Sequence, residues 1–199
     1  TGSISVQVNP SLTAFSFSTA PTTITQVDIL TNTAITTLNV SGLSASNYIN
    51  ISSNTSLSSL NIDNVVTGSL TTSNNPKLSS FGFNYINVNG GFNCASNSLS
   101  GFTGYPTGTI TGELNLGYNK SILTVANLSA MSVGTLRCNT TLTSLSVGNF
   151  TAPTVALANT GLTSISMGTS AFKNCTYLDL INNNLTSTGL SSVLTKLNA

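Results

Sequence analysis

Apolar residues along the chain come in ones and twos, alternating with polar residues over short stretches. Val6-Gln7-Val8, Val27-Asp28-Ile29, Ile49-Asn50-Ile51, Phe92-Asn93-Cys94, Leu114-Asn115-Leu116 and Leu178-Asp179-Leu180 share a two-residue period. That period predicts strands with one face buried and the other exposed. A second series, including Leu38-Asn39-Val40, Leu60-Asn61-Ile62 and Leu145-Ser146-Val147, predicts another strand in each unit. Between the two series stands an asparagine, at positions 9, 32, 54, 75, 97, 119, 139, 159 and 182, with intervals of 20 to 23 residues. An apolar residue follows three positions later in every unit except that of Asn97, where Leu99 follows at two.

Each unit therefore reads as strand, asparagine turn, strand and return loop. A unit this short cannot bury its apolar face alone, so the units must stack. Nine of them at about 4.8 Å per strand give a column about 40 Å long. Asn32, Asn54, Asn75, Asn97, Asn119, Asn139, Asn159 and Asn182 are then expected to form a structural ladder, each side-chain amide bonding its own turn and the stacked neighbour. Leu190, Val193, Leu194 and Leu197 change to helical spacing, predicting a short amphipathic helix over about 187–197 that closes the column. The expected fold is mostly β, a single solenoid domain over 1–199. Its first strand, around Ile4 to Val8, carries no Lys or Pro and leaves an open edge.

Composition narrows the function. Ser, Thr and Asn supply 89 of the 199 residues, whereas charged residues make up 5% and the net charge is +1. So small a charge gives no long-range attraction to nucleic acid or anionic lipid, and no apolar run is long enough to span a bilayer. The chain has no histidine, which removes imidazole-based nucleophile activation and His-bearing zinc sites. Asp28, Asp63, Glu113 and Asp179 are the only carboxylate side chains. The repeat sets Asp28 and Asp179 about 34 Å apart, too far for paired acid and base. Catalysis, a cofactor and a metal are not expected. Cys94, Cys138 and Cys175 fall two units apart, beyond disulfide reach, and are expected as buried free thiols. The chain starts at Thr1 with no charged or apolar leader, so any signal peptide or upstream domain is expected to lie outside it.

The segment Leu178-Asp179-Leu180-Ile181-Asn182-Asn183-Asn184-Leu185 resembles the LxLxxNxL core of leucine-rich repeats, and the unit length suits that family. Ala171-Phe172-Lys173-Asn174-Cys175-Thr176-Tyr177-Leu178 further resembles the AFxNCxxL signature of the bacterial surface-antigen type. The Asn- and Thr-heavy repeats are also similar to segments of phage structural and adhesion proteins. The resemblance implies about nine leucine-rich-repeat-like units in an extracellular, cell-surface or virion-surface recognition module.

The outward residues of the first-strand series make the candidate docking row: Gln7, Asp28, Asn50, Thr71, Asn93, Asn115, Arg137, Ala156 and Asp179. Within it Asn50, Thr71, Asn93, Asn115, Arg137 and Asp179 are the candidate ligand contacts, rich in paired donors and acceptors. Arg137 is the fixed-charge fork of the row. Tyr48, Tyr85, Tyr105, Tyr118 and Tyr177 are expected at strand edges or loops, where rings can stack on sugars. The expected partner is a protein or glycan on a cell surface, bound without catalysis. The competing expectation is a structural subunit of a phage virion or other large assembly, in contact with neighbouring subunits.

Overall fold

The two series of alternating runs become the two main walls of a parallel β-solenoid in the computed structural model, which describes residues 2–17, 24–120, 122–138 and 142–197. β1 (Gly2–Gln7), β2 (Ala14–Ser16), β3 (Ile24–Leu30), β4 (Thr37–Asn39), β5 (Ser44–Asn50), β6 (Ser59–Asn61) and β7 (Val65–Thr71) open the column. β8 (Phe81–Gly82), β9 (Tyr85–Val88), β10 (Phe92–Asn93), β11 (Phe102–Thr103) and β12 (Thr107–Asn115) form its middle. β13 (Ile122–Thr124), β14 (Met131–Arg137), β15 (Ser144–Gly148), β16 (Thr154–Ala156), β17 (Ser164–Met167) and β18 (Tyr177–Asp179) complete it before helix α1 (Ser187–Leu197).

The first sheet runs β1-β3-β5-β7-β10-β12-β14-β16-β18, nine parallel rungs joined by about eight solenoid turns. The second wall is built from β2-β4-β6, β8-β11 and β13-β15-β17. Val27, Ile49, Leu70, Phe92, Leu114, Leu136 and Val155 stack in register down the inside of the first sheet, each buried. Leu38, Leu60, Phe81, Phe102, Leu123, Leu145 and Ile165 face them from the second wall. Phe81 and Phe102 meet edge to face with ring centroids 5.3 Å apart.

Rungs two to seven add a third wall that the alternation did not predict, beginning with buried Ile24, which pairs with Ala45. Ala45, Thr67, Val88, Ile110 and Val133 pair in register along it. Gly68, Gly90, Gly112 and Gly134, spaced 22 residues apart, lie between this wall and the first sheet. A Cβ on Gly90 would lie 2.7 Å from the carbonyl oxygen of Gly68, and one on Gly112 would lie 2.8 Å from the carbonyl carbon of Gly90. On Gly68 and Gly134 it would overlap the carbonyls of Asn47 and Thr111. The corner closes because each rung rests directly on the backbone of the rung before.

The asparagine ladder runs through the turn after the first sheet. The backbone N–H groups of Asn9, Asn32, Asn54 and Asn75 donate to the side-chain oxygens of Asn32, Asn54, Asn75 and Asn97 at 2.7–3.0 Å. The side-chain amides of Asn32, Asn54, Asn75, Asn97 and Asn119 donate back to the carbonyls of Val6, Ile29, Ile51, Thr72 and Cys94 at 2.8–3.0 Å. Two expected members are displaced. In the last two rungs Thr160 and Asn183 take the ladder place: the N–H and hydroxyl of Thr160 donate to Asn183 Oδ1, and the Asn183 amide donates to the Leu157 carbonyl. Asn159 and Asn182 sit one residue earlier, in the left-handed conformation at φ 58° and 54°. That conformation recurs ahead of every described ladder residue, at Val8, Thr31, Ser53, Asn74, Ser96 and Tyr118, and asparagine suits it better than most residues do. Asn139 lies outside the described residues.

The turn also comes in two lengths. Where the apolar residue follows at three, its N–H closes onto the ladder residue's own carbonyl, as from Leu57 to Asn54 at 2.9 Å. Where it follows at two, its N–H reaches the next rung's ladder oxygen instead, from Leu99 to Asn119 at 3.1 Å and from Leu162 to Asn183 at 3.0 Å.

Helix α1 spans the predicted range, and Thr186 caps it by accepting the N–H of Gly189 at 3.1 Å. It rests against β17 and buries Val193, while Leu190 and Leu194 stay exposed. The closure is partial, since Leu178, Leu180 and Leu185 remain half-buried and Ile181 is exposed. At the other end Ile4, Val6, Leu12, Phe15 and Phe17 are half-buried, and β1 has no strand on its outer side among the described residues.

Candidate functional site

Register along the first sheet assembles the candidate row almost as expected. Asp28, Asn50, Thr71, Asn93, Asn115, Arg137, Ala156 and Asp179 are successive partners on eight adjacent rungs. Gln7 is not a member. Ser5 pairs with Asp28, whereas Gln7 pairs with Leu30, because Val8 leaves the strand in the left-handed turn and the apparent alternation around Gln7 is not all strand.

Most of the row is half-buried and locally held. The side-chain oxygens of Asn93, Asn115 and Asp179 each accept the N–H two residues on, from Ala95, Gly117 and Ile181, at 3.0 Å. Asn50 accepts the Ser52 hydroxyl at 2.8 Å. The three backbone bonds are Asx turns that finish the strands and fix these side chains at the strand ends, and they engage the oxygens, leaving the asparagine amide N–H₂ groups as the donors of the row. Arg137, with 47% of its side chain exposed, is held by Glu113 of the preceding rung through an Nε–Oε2 contact of 2.6 Å. Sequence reasoning missed this pairing because Glu113 stands opposite Thr135 and reaches Arg137 diagonally. The Tyr48 hydroxyl donates to Asp28 at 3.0 Å. That bond, then burial, then the charge of Asp28 push the Tyr48 phenol above its ordinary value.

A second polar constellation lies at the corner between the second and third walls. Asp63 Oδ1 accepts the backbone N–H groups of Asn84 and Tyr85 at 2.9 and 3.0 Å, and Oδ2 accepts the Asn84 side-chain amide at 2.7 Å. Burial raises the Asp63 carboxyl, but these donors and the N–H of Asn64 outweigh it and hold the group below its ordinary value. The 21-residue interval between Asp63 and Asn84 is one repeat, the only signal in the sequence that links them.

The three cysteines are free. Cys94 and Cys138 are buried on the inner face of the first sheet, and burial pushes the Cys138 thiol up to about 12 and the Cys94 thiol higher still. Cys175 departs from the expectation: it is half-buried ahead of β18 and donates to the Tyr177 carbonyl at 3.2 Å. Asp28 and Asp179 stand seven rungs apart on the row. No group of three metal-ligating side chains occurs among the described residues, and no helix is long and apolar enough to cross a membrane. Comparison with protein-family models, with curated proteins and with solved structures found no match to the chain.

Proposed function

We propose that this chain is a non-enzymatic recognition module that docks a glycan or protein of a cell or virion surface on the outward face of its first sheet. The observation that carries the reading is the polar row held in register over eight rungs, its Asn and Asp oxygens engaged by their own turns. Side chains fixed before binding lose little rotamer freedom on docking, so their remaining donors and acceptors contribute more of their interaction to affinity. The leucine-rich-repeat likeness and an extracellular or virion-surface setting belong to the same reading.

The test uses Arg137→Ala and Asn115→Ala, outward changes on adjacent rungs. Arg137→Ala should keep thermal stability within about 0.5 kcal/mol, as exposed substitutions usually do, whereas Asn115→Ala also gives up the Gly117 N–H bond of its turn and should lose about 0.5–1.5 kcal/mol with the chain still folded. Attachment to the cognate surface should weaken, by roughly 1.5–3 kcal/mol for Arg137→Ala if it donates a charge-assisted bond. Attachment unchanged in both variants would remove the face from the reading.

A second reading, a subunit of a virion or other large assembly, is favoured by the open end. Among the described residues β1 presents an unpaired edge, the sequence has no charged side chain before Asp28, and half-buried Val6, Leu12 and Phe15 lie at the same end. Sedimentation at rising concentration separates the two readings: association abolished by Ser3→Lys, a charge on that edge, favours assembly, and a monomer throughout favours recognition.

A further inference from the structure

The corner at Asp63 has features that neither the ladder nor the docking face requires. Three rungs meet there around a shallow depression lined by Asn61, Asp63, Gly82, Asn84, Thr103 and Gly104. Gly82 and Gly104 keep it open. A side chain on Gly82 would overlap the Thr103 hydroxyl, and Gly104 adopts φ +78° facing open space. Two exposed tyrosines adjoin its lining in sequence: Tyr85, 40% exposed, directly follows Asn84, and Tyr105, 84% exposed, directly follows Gly104.

The Asp63 carboxylate is locked from behind. Its backbone N–H donates to Asn61 Oδ1 at 3.0 Å, and both carboxylate oxygens are held by the Asn84–Tyr85 segment. The bonds from Asn84 and Tyr85 use three of the roughly four acceptor sites of the carboxylate, and the group lines the depression where a ligand hydroxyl can reach it. Asn84 spends one side-chain amide hydrogen on Asp63, which leaves its second amide hydrogen and its side-chain Oδ1 for a ligand, while its backbone carbonyl is held by Thr107. Thr103 adds a hydroxyl able to donate or accept. A fixed anionic acceptor, amide donors and acceptors, and an exposed ring next to the lining suit one chemistry. A sugar presents neighbouring hydroxyls to the polar groups and an apolar C–H face to an aromatic ring. Tyrosine offers such contact area at low entropic cost. No basic residue lines the depression, and Asp63 repels a second negative charge, so acidic sugars and phosphates are disfavoured.

From this geometry we infer that the Asp63–Asn84–Tyr105 corner is a binding site for an uncharged sugar residue, separate from the first-sheet face. Asp63 and Asn84 bond its hydroxyls, and the Tyr105 ring covers its C–H face. The site would hold a terminal or internal neutral hexose of a larger glycan, with Tyr85 contacting the adjoining residue.

Ligand-observed saturation-transfer NMR on the intact chain tests this directly, using methyl α-mannoside, methyl β-galactoside, methyl β-glucoside and N-acetylglucosamine as neutral probes, with N-acetylneuraminic acid and glucose 6-phosphate as charged ones. Transfer to at least one neutral probe is expected, with none to the charged pair. Tyr105→Ala should weaken it at least about tenfold at unchanged thermal midpoint, and Asp63→Asn by a similar factor. Arg137→Ala should leave it intact, so failure here is distinguishable from failure of the first-sheet reading. No transfer to any neutral probe, preference for the charged probes, or transfer that survives Tyr105→Ala would overturn the assignment. If Asp63→Asn loosens the corner, the Tyr105 variant, which disturbs no bonded group, decides alone.

Discussion

Asn54 Oδ1 accepts the backbone N–H of Asn32 at 3.0 Å while both residues are wholly buried. One amide thereby serves two rungs, since its nitrogen donates back to the Ile29 carbonyl of the preceding rung at 2.8 Å and to the Ser52 carbonyl of its own at 3.3 Å. Neither side chain has surface through which solvent could replace a lost partner. The ladder therefore contributes less through the strength of its bonds than through the cost of leaving any of them unmade.

Asn75→Ala and Asn54→Ala should each lower unfolding stability by about 1–3 kcal/mol or more, because buried N–H and C=O groups on both sides lose partners. Asn183→Ala should be costly as well, whereas Asn182→Gly, which keeps the left-handed turn available and gives up only an exposed amide bond to Asn159 Oδ1, should cost less. Urea midpoints measure the contrast, and equal losses at 182 and 183 would contradict the ladder register.

The glycine corner gives an independent check on packing. Gly112→Ala places a methyl 2.8 Å from the Gly90 backbone and should destabilise by about 1–3 kcal/mol through overpacking. Gly2→Ala, with nothing within 4 Å, should change little. A Gly112→Ala variant as stable as the native chain would mean that the rungs are not in direct backbone contact.

The buried thiols make stability fall at high pH. An unfolded cysteine ionises near pH 8.5, whereas folded Cys138 holds its proton until about 12. Between those values the unfolded chain binds fewer protons, so stability declines as pH rises, by up to about 1.4 kcal/mol per unit for each such thiol. Chemical denaturation between pH 8 and 10.5 should show a shallower decline in Cys138→Ala than in the native chain. In the folded state at pH 8, Cys175 should be alkylated before Cys94 and Cys138, with all three reacting after unfolding.

Tyr48 should titrate above the ordinary tyrosine range, because its proton is held by Asp28. Asp28→Asn should move that titration downward. Ultraviolet absorbance against pH, read as the difference from Tyr48→Phe, would show the shift; an unchanged profile would mean that the bond between the two side chains is not kept in solution.

The repeat was legible because the core enforces it: stacked rows such as Val27, Ile49, Leu70 and Phe92 require one apolar residue per turn. The row from Asp28 to Asp179 followed from the same period. What slipped were positions where two structural roles favour one residue type. Asparagine suits both the ladder and the left-handed residue before it, and the run Asn182-Asn183-Asn184 offers no way to tell the two apart. The third wall went unseen because its marker is glycine, which carries no polar or apolar signal even at a regular spacing of 22. The Asp63 corner and the Arg137–Glu113 pair depend on how neighbouring turns lie across one another, which period alone does not specify.

Because each rung of the first sheet is bonded only to the rungs on either side, a pull along the column axis is carried in series rather than shared. The column then fails as a zipper does, one rung at a time from its weaker end. β1, bonded on one side among the described residues and exposed at four of its six positions, yields before the rungs locked by the buried asparagines, so tension between the ends would lengthen the molecule in steps of about one repeat and leave its middle intact to the last.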